Sequence, residues 1–310
     1  MKKILVLGAN GQIGTELKIM LRHKYGTLNV FSADLKPLDG DPNSVVLNAL
    51  DKDGFKKIVE DNNIDTVYNL VALLSATGEK NPDVAWNINM GALVNTLEIA
   101  RECNCSVFTP SSIGAFGMDA PKDNTPQNTP MHPNTIYGVC KVAGEMMGNY
   151  YFERFGVDAR SARFPGLISS GSLPGGGTTD YAVEVFYSAI KGEKFICPIP
   201  HDRFMDMMYM PDALDVLHDL MTADSDRLVV RNAYNVASMS FSPEILFAEI
   251  KKHIPSFEWE YQIDPVKDAI SNSWPNMMND DCARNEWDWS PKWNLEKMVV
   301  DMIEKLSAKI

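Results

Sequence analysis

The chain has 310 residues, of which 45% are hydrophobic and 23% are charged, a composition typical of folded globular proteins. Its 29 basic and 41 acidic residues give a formal net charge of −12, which argues against nucleic acid as a partner. No apolar run is long enough to cross a bilayer, so the sequence predicts no membrane-spanning segment.

A glycine-rich turn lies between two apolar runs at the start of the chain. The first run covers residues 3–7, the turn reads Gly8-Ala-Asn-Gly11-Gln-Ile-Gly14, and a helical segment leads to the second run at 30–34. Glycine lets the backbone approach a pyrophosphate without an intervening Cβ, and the start of the following helix attracts phosphate charge. The spacing differs from the common G-x-G-x-x-G fingerprint, so the prediction of a dinucleotide site depends on the surrounding strand, helix and terminal acid.

That terminal acid is Asp34, 20 residues beyond Gly14. A carboxylate at this place can accept hydrogen bonds from an adenosine ribose, and it would repel the 2′-phosphate of NADP. No Arg follows within five residues, although Lys36 is nearby. The sequence therefore predicts NAD as the cofactor.

Apolar runs alternate with helical segments through the first half of the chain. Further strands are predicted at 45–47, 66–70, 106–110 and 157–163, and helices at 55–60, 84–100 and 136–155. This rhythm predicts an α/β fold with a doubly wound parallel sheet of the Rossmann type. Ligands bind such sheets at the carboxyl ends of the strands, so we expect chemistry just after Leu70, Pro110 and Arg163.

The pattern changes after Gly166. Residues 169–180 are rich in Gly, Ser and Thr, and the Met-rich segment 205–210 is interpreted as interior packing, since methionine fills irregular gaps. We expect residues 1–165 to form the NAD-binding domain. Residues 166–310 are expected to form mainly a smaller α/β substrate-binding lobe, from which some segments could return to the main sheet.

The five cysteines are scattered along the chain, at Cys103, Cys105, Cys140, Cys197 and Cys282. The first two are too close for the usual zinc-binding pair, and neither a second pair nor a His cluster completes a site. The sequence predicts reduced thiols, no metal and a cytoplasmic location. The N-terminus leads straight into the first apolar run, so no cleaved leader is expected.

A tyrosine and a lysine, Tyr137 and Lys141, are one helical turn apart and share a helix face. A free phenol loses its proton near pH 10, and a neighbouring ammonium favours the phenolate, so such a tyrosine can act as a base near neutrality. A second pair with this spacing, Tyr187 and Lys191, lies mid-helix in the second half. Tyr137 differs in following a predicted N-cap, Asn134 or Thr135, and the serines after the fifth strand.

These motifs together resemble the extended short-chain dehydrogenase/reductase family over nearly the full chain. The matching segments are Gly8-x-x-Gly11-x-x-Gly14, Asp34, Asn69-Leu-Val-Ala72, Asn89, Ser111-Ser-Ile-Gly-Ala-Phe-Gly117, Tyr137-x-x-x-Lys141 and Arg163-Phe-Pro-Gly166. The resemblance implies that Tyr137 is the general acid/base. It also implies that Lys141 binds the nicotinamide ribose and favours the phenolate, and that Ser112 hydrogen-bonds the reacting oxygen.

The resemblance also implies a set of cofactor contacts. Asn48 and Ala49, after the third strand, are expected near adenine, and Pro165 and Leu167 are expected beside the nicotinamide. The expected contacts are Gly8, Asn10, Gly11, Gln12, Ile13, Gly14, Asp34, Asn48, Ala49, Leu70, Ala72, Asn89, Tyr137, Lys141, Pro165 and Leu167. Two departures from the family pattern are present. Ile113-Gly114 replaces the Asp-Glu pair of the family's dehydratases, so elimination lacks its acid and base, and Asn69 stands where the family often has His.

Within the family, the pattern resembles the epimerase-like L-threonine 3-dehydrogenases, above all in Gly175-Gly-Gly-Thr-Thr-Asp-Tyr-Ala182. This resemblance implies oxidation of L-threonine at C3 to 2-amino-3-oxobutyrate with NAD. The expected substrate contacts are Ser75, Ser111, Ser112, Tyr137, Thr178, Thr179 and Trp274. Structural alternatives stay open: a serine or threonine here could complete a turn, and Trp274 could be either a core anchor or a lid. The family also implies a homodimer through the helices at 84–100 and 136–155.

Two other functions stay open on the sequence. A nucleotide-sugar 4-epimerase of the same family needs basic residues for a diphosphate. Lys191 and Lys194 are the basic residues between Gly166 and Pro200, with Arg203 and Arg231 further on. A non-catalytic NAD-sensing regulator would keep the glycine turn and lose the tyrosine–lysine pair, whereas this chain has both.

Overall fold

A six-stranded parallel sheet organises the first half of the computed structural model, which describes residues 1–38, 40–173, 175 and 177–310. The strands in chain order are β1 (Ile4–Leu7), β2 (Val30–Asp34), β3 (Ser44–Val46), β4 (Thr66–Asn69), β5 (Ser106–Phe108), β6 (Ser111–Ser112), β7 (Ala159–Arg160), β8 (Ala162–Phe164), β9 (Gly166–Ile168), β10 (Phe195–Cys197), β11 (Met205–Tyr209), β12 (Tyr234–Asn235), β13 (Met239–Phe241) and β14 (Trp259–Tyr261). The main sheet has the order β3-β2-β1-β4-β5-β7, and every neighbouring pair in it is parallel. The predicted doubly wound α/β fold is confirmed.

Helices connect and cover these strands. They are α1 (Gln12–Tyr25), α2 (Lys52–Asp61), α3 (Ser75–Gly78), α4 (Pro82–Cys103), α5 (Ile136–Phe155), α6 (Tyr181–Lys191), α7 (Met210–Thr222), α8 (Pro243–His253), α9 (Pro265–Ser273), α10 (Asp281–Trp287) and α11 (Leu295–Ser307). β1 is buried along its whole length, as expected for a parallel strand covered on both faces. Within the described residues, no helix is long and apolar enough to span a membrane.

The end of the main sheet differs from the predicted strands. The segment predicted as one strand at 157–163 forms β7 in the main sheet and β8 in a second sheet of order β12-β8-β6. Strand β5 ends at Phe108, and Pro110 has no N–H to continue the ladder. The chain therefore leaves the main sheet at its carboxyl edge and enters the second sheet at Ser111, opposite Arg163.

The second half contributes two further small sheets and the helices that pack on them. Strand β11 pairs with β9 in parallel and with β13 in antiparallel orientation, and β10 pairs with β14. All residues of β11 are buried, which agrees with interior packing of the Met-rich segment. Met208 and α7 lie in the same hydrophobic cluster as β1 and α1. Part of the second half thus packs on the first, and a domain boundary at residue 166 stays a prediction.

Candidate active site

The glycine-rich turn joins β1 to the first turn of α1. Gly8 has φ +73°, a conformation that favours glycine, and a Cβ there would come within 3.1 Å of the carbonyl carbon of Leu70. A Cβ at Gly14 would overlap the carbonyl oxygen of Gly8. The turn is therefore packed so tightly that two of its positions require glycine. The N–H groups of the first turn of α1, which have no acceptor within the helix, are suited to a phosphate.

Asp34 stands at the carboxyl end of β2, beside this turn. Its Oδ2 accepts a hydrogen bond from the Asn10 N–H at 2.9 Å, and its Oδ1 accepts one from Leu35 N–H at 2.7 Å. These bonds fix the carboxylate and leave each oxygen a further lone pair for a ribose hydroxyl. The carboxylate is thereby fixed beside the glycine turn, and its contact with NAD stays a prediction.

A cavity of about 510 Å³ opens over the turn and the strand ends. The predicted cofactor residues that line it are Gly8, Asn10, Gly11, Asp34, Asn48, Ala49, Leu70 and Ala72. Its place at the carboxyl edge of a parallel sheet, its tight glycine turn and its acid together fit the adenosine half of NAD.

Lys18 supports the turn and was not singled out from the sequence. Its buried Nζ donates to the carbonyl oxygen of Ala9 at 3.1 Å, and burial lowers its pKa. The signal for it was available, because a lysine one turn after Gly14 falls on the helix face that packs on the sheet.

Tyr137 and Lys141 lie at the start of α5, where Thr135 caps the helix by accepting from the Gly138 N–H at 3.0 Å. Lys141 Nζ is 5.2 Å from the centre of the Tyr137 ring and donates to the carbonyl oxygen of Pro110 at 2.6 Å. The ammonium is thus held beside the phenol by the same backbone segment that leads into Ser112.

Ser112 ends β6 and faces the same cavity as Tyr137. Its Oγ accepts a hydrogen bond from the Gly114 N–H at 3.1 Å. The hydroxyl proton takes no part in that bond, so the hydroxyl can still donate a hydrogen bond into the cavity.

One cavity of about 130 Å³ is lined by every residue predicted to contact the substrate. These are Ser75, Ser111, Ser112, Tyr137, Thr178, Thr179 and Trp274. Gln12, Ile13, Pro165 and Leu167 line it too, so expected substrate and cofactor contacts meet there. Among its described lining residues, Asp180 is charged and none is Lys or Arg. Of the glycine run in the motif, Gly176 lies outside the described residues.

Several of these side chains also have structural bonds. The hydroxyls of Ser75 and Thr178 are 3.5 Å apart. Trp274 lines the cavity and packs in the core of the second half, and its role as a lid stays a prediction. Asn89 accepts from the Leu73 N–H at 2.7 Å and donates to its carbonyl at 3.2 Å, which fixes the chain ahead of Ser75.

A third cavity of about 110 Å³ extends behind Tyr137 and Lys141, and Asn89 lines it with them. Glu145, one turn after Lys141, also lines it. The sequence prediction missed Glu145, although its i+4 spacing from Lys141 on a largely apolar helix was a usable signal. Among the residues that the structure describes, no three His, Cys, Asp or Glu side chains are grouped to hold a metal ion.

The fold and this site define a Rossmann-type, NAD-dependent oxidoreductase. Residues 4–237 match the model of the NAD-dependent epimerase/dehydratase family. The chain therefore belongs to that family, and its resemblance to the extended short-chain dehydrogenases is confirmed.

Relatives and solved structures match over the whole chain. An uncharacterised epimerase/dehydratase of Staphylococcus haemolyticus is 49% identical, with 100% of this chain and 99% of the relative covered. The crystal structure of the L-threonine dehydrogenase of Clostridium difficile has a TM-score of 0.97 and 50% identity, over 100% of this chain and 98% of that one. The holo form of a GalE-like L-threonine dehydrogenase of Cupriavidus necator has a TM-score of 0.96 and 46% identity, over 98% of this chain and 99% of that one.

Proposed function

We propose that the protein oxidises L-threonine at C3 with NAD, giving 2-amino-3-oxobutyrate and NADH. The observation that carries this proposal is the cavity of about 130 Å³, in which all expected substrate contacts meet Tyr137 and the expected nicotinamide neighbours. The solved L-threonine dehydrogenases that match the whole chain support the choice of substrate.

In this mechanism Tyr137, as phenolate, takes the proton of the C3 hydroxyl. The Lys141 ammonium, 5.2 Å from the ring centre, stabilises the phenolate before the proton is transferred. Ser112 donates a hydrogen bond from its hydroxyl to the reacting oxygen as that oxygen becomes a carbonyl. Bound NAD supplies the acceptor for the C3 hydride.

The hydroxyl-rich end of the cavity would hold the amino acid's charged groups. Ser75 and Thr178 provide two neighbouring hydroxyls, which donate to a carboxylate and accept from an ammonium. Trp274 excludes water from the reacting carbon. A zwitterion carries no net charge, so its site does not require Lys or Arg, and neither is present among the described lining residues.

The absence of Lys and Arg among the described lining residues also argues against a nucleotide-sugar 4-epimerase. A diphosphate is normally held by Arg or Lys, and sites for ligands of drug size measure roughly 300–1,000 Å³, more than this cavity offers. A non-catalytic regulator is disfavoured because the chain keeps both the glycine turn and the pair Tyr137 and Lys141, which such a regulator would lose.

We also propose a homodimer. Helices α4 and α5 expose several large apolar side chains, including Val84, Trp86, Val139, Met146 and Tyr150. A second copy could cover both helices at once. Light scattering should give the mass of two chains, and the mass of one chain at assay concentration would reject the dimer.

The enzymatic proposal is tested by incubating the protein with NAD and L-threonine and following the absorbance of NADH. We expect NADH with threonine, and none with a UDP-sugar. Interconversion of the UDP-sugar without NADH would support the epimerase instead.

A further inference from the structure

A buried ion pair behind the catalytic side chains has no part in the proposed mechanism. Glu145 on α5 is 5% exposed and Arg163 on β8 is 6% exposed. Arg163 donates to both carboxylate oxygens, from Nε at 3.0 Å and from Nη2 at 2.8 Å. Charges taken out of water are costly unless they are paired with good geometry, so a pair this well formed restricts where its two elements lie.

The other hydrogen bonds of this ion pair involve three more segments of the chain. Ser111 on β6 donates to Glu145 Oε1 at 2.5 Å. Arg163 Nη1 donates to the Gln127 carbonyl at 2.9 Å and to Asn235 Oδ1 at 3.0 Å. Ser111 and Asn235 are the direct neighbours of Arg163 on the two flanking strands. The pair therefore joins α5 to all three strands of the second sheet.

The catalytic side chains stand on the two elements that this network connects. Ser112 follows Ser111 directly, and Glu145 follows Lys141 by one turn of α5. The bond from Lys141 to the Pro110 carbonyl makes a second link between the same two segments. Pro110 and Ser111, the two residues before Ser112, are therefore both hydrogen-bonded to side chains of α5.

We propose that Ser111, Glu145 and Arg163 form a positioning unit that sets the Ser112 hydroxyl against the Tyr137 phenol. In this account Ser111 acts through Glu145 and is not a substrate ligand, although it lines the substrate cavity. The kinetic test of this inference rests on the proposed function. Small displacements of a catalytic group lower the rate constant strongly, so the expected effect is on kcat.

The test compares Ser111→Ala with a matched control, Ser106→Ala. Ser106 on β5 also donates its hydroxyl to a carboxylate that an arginine holds, because Asp158 accepts from Ser106 at 3.2 Å and pairs with Arg160. Ser106 lines none of the three cavities described above. We expect Ser111→Ala to lower kcat about 10-fold with the KM for threonine within about 2-fold, and Ser106→Ala to change neither by more than about 2-fold.

Two kinetic results would overturn the proposal. A KM for threonine raised about 10-fold with kcat unchanged would make Ser111 a substrate ligand. If Ser111→Ala kept kcat within about 2-fold of wild type, the Glu145–Arg163 ion pair would have a structural role only. Arg163→Lys is a second variant, which keeps the charge and loses the bidentate geometry. It should lower kcat in the same way, and an unchanged kcat would count against the unit.

Hydrogen exchange separates this inference from the identity of the substrate. The amide protons of Ser112 and Ile113 should exchange faster in Ser111→Ala than in wild type, and at the wild-type rate in Ser106→Ala. Equal exchange in all three proteins would contradict the positioning unit. Wild-type protein that forms no NADH from threonine would refute the proposed function alone, because the exchange measurement needs no substrate.

Discussion

Removal of the Lys141 ammonium should slow the reaction. Lys141→Met keeps a similar side-chain volume and deletes the charge 5.2 Å from the centre of the Tyr137 ring. At an effective dielectric constant of about 20, a unit charge at that distance stabilises a phenolate by roughly 3 kcal/mol. Both residues are partly exposed, so solvent screening reduces this to about 2 kcal/mol, or about a 30-fold loss in kcat at neutral pH.

The assay is the initial rate of NADH formation at saturating NAD and threonine, measured at neutral pH. Lys191→Met is the matched control, because Lys191 follows Tyr187 with the same spacing outside the site. An unchanged kcat in Lys141→Met, or an equal loss in Lys191→Met, would refute the electrostatic reasoning.

Two further predictions follow from single carboxylates. Asp34→Ser removes the charge that repels a 2′-phosphate, so the ratio of kcat/KM with NADP to that with NAD should rise at least about 10-fold, and an unchanged ratio would contradict the role of Asp34. Asp206 is fully buried, and burial raises its pKa to about 8. Because the folded-state pKa lies above the unfolded value, the folded state favours the protonated carboxyl, and Asp206 should cost stability as the pH rises from about 4 to 8. Asp206→Asn should therefore gain in Tm relative to wild type between pH 5 and pH 8, and a pH-independent difference in Tm would contradict this.

Local signals were sufficient for the cofactor half of the fold. The glycine positions and the apolar run before them determine the turn from β1 to α1, because each acts within a few residues of the next. The acid that completes the pattern, Asp34, ends the next predicted strand. Helix α5 begins and ends where its pattern predicts, at Ile136 and Phe155, between the Thr135 cap and Gly156 in the left-handed region. Such features depend on backbone conformation and nearby side chains, which the sequence displays directly.

Contacts between residues far apart in the sequence could not be predicted from such local signals. Glu145 and Arg163 meet because the chain changes sheets between β7 and β8, and no local pattern marks Ser161 as the break. Trp274 and Thr178 reach the cavity of Tyr137 through the packing of the second half, so their site roles came from family resemblance. Met208 and α7 lie in the first half's core for a similar reason: a buried apolar run does not reveal which element covers it.

The phenol of Tyr137 is the centre of this account, and Tyr137→Phe tests it most directly. The measurement pairs NADH formation from L-threonine with binding of NAD to the same protein, in wild type and in the variant. We expect the variant to bind NAD and to form no NADH above background, since the ring remains and the proton acceptor is gone. Turnover at the wild-type rate in the variant would contradict it.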